Sequence, residues 1–203
     1  MHFAAGVVFA VLAVEFLPDL VYEHSALATG IGFALGAAAM LAIRAWSAKR
    51  TENKIEGNKA VSGSLIAATA VDIAVDGIML GIGFAAGAKQ GVLLTIALAF
   101  ELVSLGLAVA MEWQQGKMPR GRIIRSIITI SALFVFTAVL GTFALSFISG
   151  NLLVGVIAFG AAALLFLVTE ELLTEAHEVT ESPLLTSMFF VGFLAILLME
   201  MLS

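Results

Sequence analysis

The stretch "AVDIAVDGIML", Ala70 to Leu80, sets two aspartates, Asp72 and Asp76, one helical turn apart inside an apolar run. Residues four apart share one face of a helix. An acid at the centre of a membrane helix costs roughly 2.5–3.5 kcal/mol on insertion scales. Whether this run crosses a membrane decides the fold, and if it does, the two acids need a physical reason.

The composition answers the first question. The chain of 203 residues is 61% hydrophobic and 12% charged, with a mean hydropathy of +1.09. Soluble domains run at about 45–50% apolar and about 25% charged, so the excess apolar surface is meant for lipid. There is no cysteine, which removes disulfides, thiolate metal sites and thiol chemistry. All ten Lys and Arg lie between Arg44 and Arg125. That distribution offers no basic face for nucleic acid. Residues Met1 to Tyr22 lack a basic n-region and an A-x-A cleavage site, so they read as a retained span rather than a signal peptide.

A helix needs about 20 mostly apolar residues to cross the hydrocarbon core. Working outward from Asp72 and Asp76, seven stretches meet that length: Phe3 to Tyr22, Ala26 to Trp46, Ser62 to Ala88, Gly91 to Trp113, Ile123 to Ile148, Leu152 to Leu173 and Leu184 to Leu202. They are long, continuous and rich in Ala, Leu and Ile, unlike the short alternating strands of a membrane barrel. The expected fold is an all-α polytopic membrane protein with seven transmembrane helices, residues 1–203 forming a single transmembrane domain. The segments Arg44 to Lys59 and Lys117 to Arg125, which take in the basic loops 47–61 and 114–122, hold all the Lys and Arg except Lys89 and fall on one side by alternation. The positive-inside rule makes that side cytoplasmic. The N-terminus is then inside and the C-terminus outside, in the cell (inner) membrane.

Small residues recur within the spans, as in "FAAG" at Phe3 and Phe84, "FALGAAA" at Phe33 and "AFGAAA" at Ala158. They allow close approach of helix backbones. "EFLPD" (Glu15 to Asp19) is echoed by "ELLTE" (Glu171 to Glu175), each ending a span and followed by an acidic–His turn. The two units lie five spans apart, so they cross in opposite directions. Inverted repeats of this kind mark secondary transporters.

Three acids, Asp72, Asp76 and Glu101, sit well inside spans whose interiors hold no basic partner. Protons or a bound cation are the two species that would relieve them. Intramembrane acids mark ion pathways by default, and carboxylate oxygens suit hard divalent ions. Glu101 lies about midway along the following antiparallel span, at a depth that could meet the aspartates. Gly77, Gly81 and Gly106 are expected to let those two helices share one ion. Glu15, Asp19, Glu171, Glu175, His177 and Glu178 lie near span ends or in the loop that follows, and are candidate ligands at the entrance or exit. No nucleophile–base pair, phosphate loop or cofactor fingerprint occurs, so an enzyme is not expected.

The motif Asp72-Ile73-Ala74-Val75-Asp76-Gly77 and its successor Glu101-Leu102-Val103-Ser104-Leu105-Gly106 resemble the paired H-N-x-P-E-G metal-binding helices of the ZIP (zinc/iron-regulated transporter-like) divalent-metal transporters. "HFAAGVVFAVLAVEFLPDL" is similar to that family's second helix, and "AFGAAALLFLVTEELLTEAHE" to its seventh. The resemblance implies a ZIP-like bundle, with Asp72, Asp76 and Glu101 as metal ligands and a divalent ion as substrate (Zn, Mn, Fe, Cd or a harder ion such as Mg). It implies no organic cofactor. Lipid and metal ions are the expected partners, with a homodimer as one expected assembly. The family's first helix has no counterpart here. Asp72 and Glu101 stand where the family has His, Leu105 where it has an acid, and Val75 and Ser104 where it has proline. Loss of imidazole shifts preference from Zn, Cu, Fe and Ni toward Mg, Ca and Mn. A non-transporting ZIP relative acting as metal sensor or assembly subunit, and a proton-coupled carrier of another solute, are the competing classes.

The topology has a direct readout in a chain without native cysteine. Cysteines placed at Asn53 and at Gln115 should react with an impermeant thiol reagent from the same side of the membrane. Labelling from opposite sides would overturn the alternation of spans.

Overall fold

The computed structural model describes residues 1–55, 61–115, 119–177 and 183–202. Among them there is no strand, in keeping with the rule that lipid leaves helices or closed barrels as the only spanning forms. Seven helices are long and apolar enough to cross a membrane. They are α1 (His2–Tyr22), α2 (Ala26–Ile55), α3 (Val61–Ala86), α4 (Ala88–Gln115), α5 (Arg120–Leu145), α6 (residues 151–177) and α7 (Pro183–Leu202). The chain is an all-α, polytopic integral membrane protein. Two boundaries differ from expectation. The first basic loop is helical through Ile55, so α2 runs beyond its apolar part. Between α3 and α4 only Gly87 interrupts the helices; the hairpin is that tight because Gly91 leaves room for the Phe84 ring.

The turns at one end of the bundle carry the backbone geometry that helices cannot. His24 adopts a positive φ of 50° between α1 and α2. Gly150, ahead of α6, has φ 61° and ψ −146°, a region open in practice to glycine alone. The Ser25 hydroxyl meets Asn151 Oδ1 at 3.3 Å, tying these two turns together.

Packing follows the repeat. Helix α1 lies along α7, and α2 lies along α6, so each half lends its second helix to the other half's first. The exchange is reciprocal in detail at a constant offset of 156 residues. A Cβ on Gly36 would come within 2.5 Å of the Phe159 carbonyl oxygen, and a Cβ on Gly192 would run into the carbonyl oxygen of Phe3. Gly36 corresponds to Gly192, and Phe159 to Phe3. Buried Met40 and Ile196 correspond in the same way. In the middle, α1 packs on α4 as α6 packs on α3. Helix α5 has no counterpart. It lies along α3, where Gly77 meets Thr137 and Phe134, and Gly81 comes against Gly141. The expectation that Gly77, Gly81 and Gly106 join α3 to α4 is thereby corrected. The first two serve α5, and a Cβ on Gly106 would meet open space.

Each half also contains one π-helical turn, Leu12–Phe16 in α1 and Leu167–Leu172 in α6. In α1 the cause is near at hand. Pro18 has no N–H to give the Val14 carbonyl, and its ring crowds that position, so the helix opens just before it. In α6 the Thr169 hydroxyl donates back to the Leu165 carbonyl at 2.9 Å, a bond that bends helices. Turns of this class recur at functional sites.

The glycine contacts are testable by overpacking. Gly36→Ala and Gly192→Ala should each destabilise the protein by about 1–3 kcal/mol, read as a fall in thermal midpoint in detergent. Gly106→Ala should leave the midpoint unchanged, because nothing opposes its methyl group.

Candidate functional site

Both π turns place a glutamate toward the bundle interior, Glu15 in the first and Glu171 in the second. The residues stand 156 apart, so they occupy equivalent positions of the two halves. Their surroundings differ, and that difference defines two polar clusters.

The first cluster surrounds the aspartate pair. Asp72, Val75, Asp76 and Met79 of α3, Met40 and Ile43 of α2, and Ala163, Leu167 and Glu171 of α6 line one small, partly open cavity of about 10 Å³. That is room for at most one water. Three carboxylates from two helices therefore meet in a space with no basic side chain on its wall. Asp76 is 3% exposed, while Asp72 and Glu171 are half-buried. The four-residue spacing of the aspartates works as the sequence implies, since both side chains face the same cavity. Among the described residues, no three His, Asp or Glu side chains stand close enough to hold a metal as the helices are arranged here. Beside the cavity, Arg44 of α2 pairs with Glu170, the neighbour of Glu171; both are about half exposed, and the pair fastens α2 to the π turn of α6.

Glu101 does not line this cavity. It is buried at 4% exposure on α4, and its neighbour Phe100 stacks edge-on against Phe3 with ring centroids 5.0 Å apart. Helix α4 thus directs this region at α1, and the third carboxylate of the cavity is Glu171, which the sequence assigns only an entrance or exit role.

The second cluster lies at the end of the bundle that carries Tyr22. Glu15 is 5% exposed, far more buried than an acid near a span end needs to be. Lys89 of α4 reaches between it and Glu200 of α7, at 3.6 Å from Glu15 Oε1 and 2.5 Å from Glu200 Oε1. One residue on, Gln90 Nε2 donates to Asp19 Oδ2 at 2.9 Å. Asp19, Tyr22, Glu23, Gln90, Gly150 and Leu153 are among the residues that line a neighbouring cleft of about 470 Å³. Of the other candidates, Glu175 and His177 lie on the last turn of α6, and Glu178 lies outside the described residues.

Sequence reasoning passed over Lys89 and Glu200 as partners of Glu15. The signal was present: the offset that matches Glu15 with Glu171 also matches Glu200 with Arg44, so the seventh span ends on a charged residue opposite a π-turn acid. No protein-family model matches the chain, and no curated protein sequence matches it.

Proposed function

We propose that the chain is a membrane transporter of divalent metal cations, of ZIP-like kind, with Asp72, Asp76 and Glu171 as its intramembrane ion site. The observation that carries this reading is the wall of the α3 cavity, which has three carboxylates and no cation. Acids that face a bundle interior within membrane spans mark ion pathways. Oxygen ligands alone favour Mg, Ca or Mn over the softer metals. Two halves of opposite sense that exchange helices give the frame for exposing one site to either face in turn. The basic loops put the N-terminus in the cytoplasm and the C-terminus outside.

In this closed arrangement the carboxylates do not converge as a metal shell. That observation favours one other reading, a carrier whose acids exchange protons. Loading a metal requires α6 to move against α3 so that Glu171 and water can complete an oxygen shell of six or more.

Proteoliposomes decide between the two readings. Uptake of Mn, Mg, Ca, Zn, Fe and Cd should include at least one ion whose flux falls tenfold or more in Asp76→Asn and in Glu171→Gln. Glu101→Gln should lower it less. Absence of flux for every ion, together with proton movement that Asp76→Asn abolishes, would replace metal transport by proton exchange.

A further inference from the structure

The Tyr22-end cluster has a feature that an ordinary structural ion pair lacks. The Glu15 Oε1 atom is buried without a hydrogen-bond partner, although an ammonium stands 3.6 Å away. Lys89 is drawn instead to Glu200, at 2.5 Å. Its side chain is 45% exposed, against 6% for that of Glu15. A lysine head is a compact point charge on a flexible four-carbon stem, and this one begins a helix two residues after the Gly87 break. It lies between a buried, incompletely satisfied carboxylate and the exterior. Next to it opens the cleft walled by Asp19 and Glu23.

We propose that Glu15 and Glu200 form a second cation site, whose resting occupant is the Lys89 ammonium and whose exogenous ligand is a divalent cation entering through the adjacent cleft. With both acids ionised, two carboxylates and one ammonium leave the cluster one negative charge in excess. Exchange of the ammonium for a divalent ion cancels that charge and supplies Glu15 Oε1 with the ligand it lacks. The displaced Lys89 has Asp19 and Glu23 within the acidic cleft to turn to. Hard oxygen donors and surrounding water suit Mg, Ca or Mn. The equivalent acid of the other half, Glu171, shares its cavity with no basic side chain. The inference requires nothing to bind at the α3 cavity.

The test uses the full chain in detergent with Mn²⁺ as the probe, in an Asp76→Asn background so that the α3 cavity does not contribute. Mn²⁺ bound is counted from the loss of the free-ion electron paramagnetic signal. Lys89→Gln should tighten Mn²⁺ binding at least tenfold, Lys89→Arg should not, and adding Glu15→Gln should cancel the gain. Equal affinity with and without Lys89, or a gain that survives Glu15→Gln, would overturn the proposal. A second measurement needs only the unmodified protein. Saturating Mn²⁺ should raise the reactivity of Lys89 toward an amine-acylating reagent several-fold, read by mass spectrometry, and unchanged reactivity would count against the proposal equally.

Discussion

The contact on which the rest of the molecule depends is glycine against a carbonyl, and two such contacts are related by the repeat: Gly36 on Phe159 and Gly192 on Phe3. Between helices in lipid there is little hydrophobic drive, so association rests on close packing and on weak Cα–H···O contacts. Only a residue without Cβ allows that approach. Once the two crossings are fixed, helix geometry places the charged groups. Glu15 and Glu171 stand twelve residues beyond Phe3 and Phe159, roughly 18 Å along their helices. Arg44 and Glu200 stand eight residues beyond the glycines, roughly 12 Å along theirs. The π turns then meet the partner helices where those charges lie, Glu170 with Arg44 and Glu15 with the pair Glu200 and Lys89.

From one repeated scaffold the chain builds two unlike electrostatic environments. At the aspartate cavity the acids face one another, with no basic side chain among the residues that line it. At the Tyr22 end the acids have a lysine side chain as partner. Such a division of labour between equivalent positions is possible because α3 and α4 exchange places under the repeat but carry different residues, Asp72 and Asp76 on one, Lys89 and Glu101 on the other.

Length and composition made the seven spans readable, because few soluble alternatives tolerate such continuous apolar runs. The four-residue spacing of Asp72 and Asp76 also carried through, since α3 is regular over that stretch. The pairing with Glu171 was not readable. A π turn adds a residue to its helix and rotates everything beyond it, so a regular helical wheel assigns the wrong face to a residue inside one. Glu101 stands midway along α4 and is not among the residues that line the α3 cavity; its neighbour Phe100 packs on Phe3 of α1. The echo of "EFLPD" in "ELLTE" revealed that a repeat exists. It could not reveal that the halves swap helices, because that depends on which glycine meets which carbonyl.

Helix α5 stands outside the repeat, clipped to α3 through Gly77, Gly81 and Gly141. Two identical halves related by a two-fold exchange would have two conformations of equal free energy, each the image of the other. Among the described residues α5 has no equivalent on the other side, and its contacts with α3 make the two arrangements unlike. The grip of α5 on α3 stabilises whichever arrangement keeps the glycine seam closed. That seam includes Gly77, the residue beside Asp76, so its packing acts next to a carboxylate of the cavity.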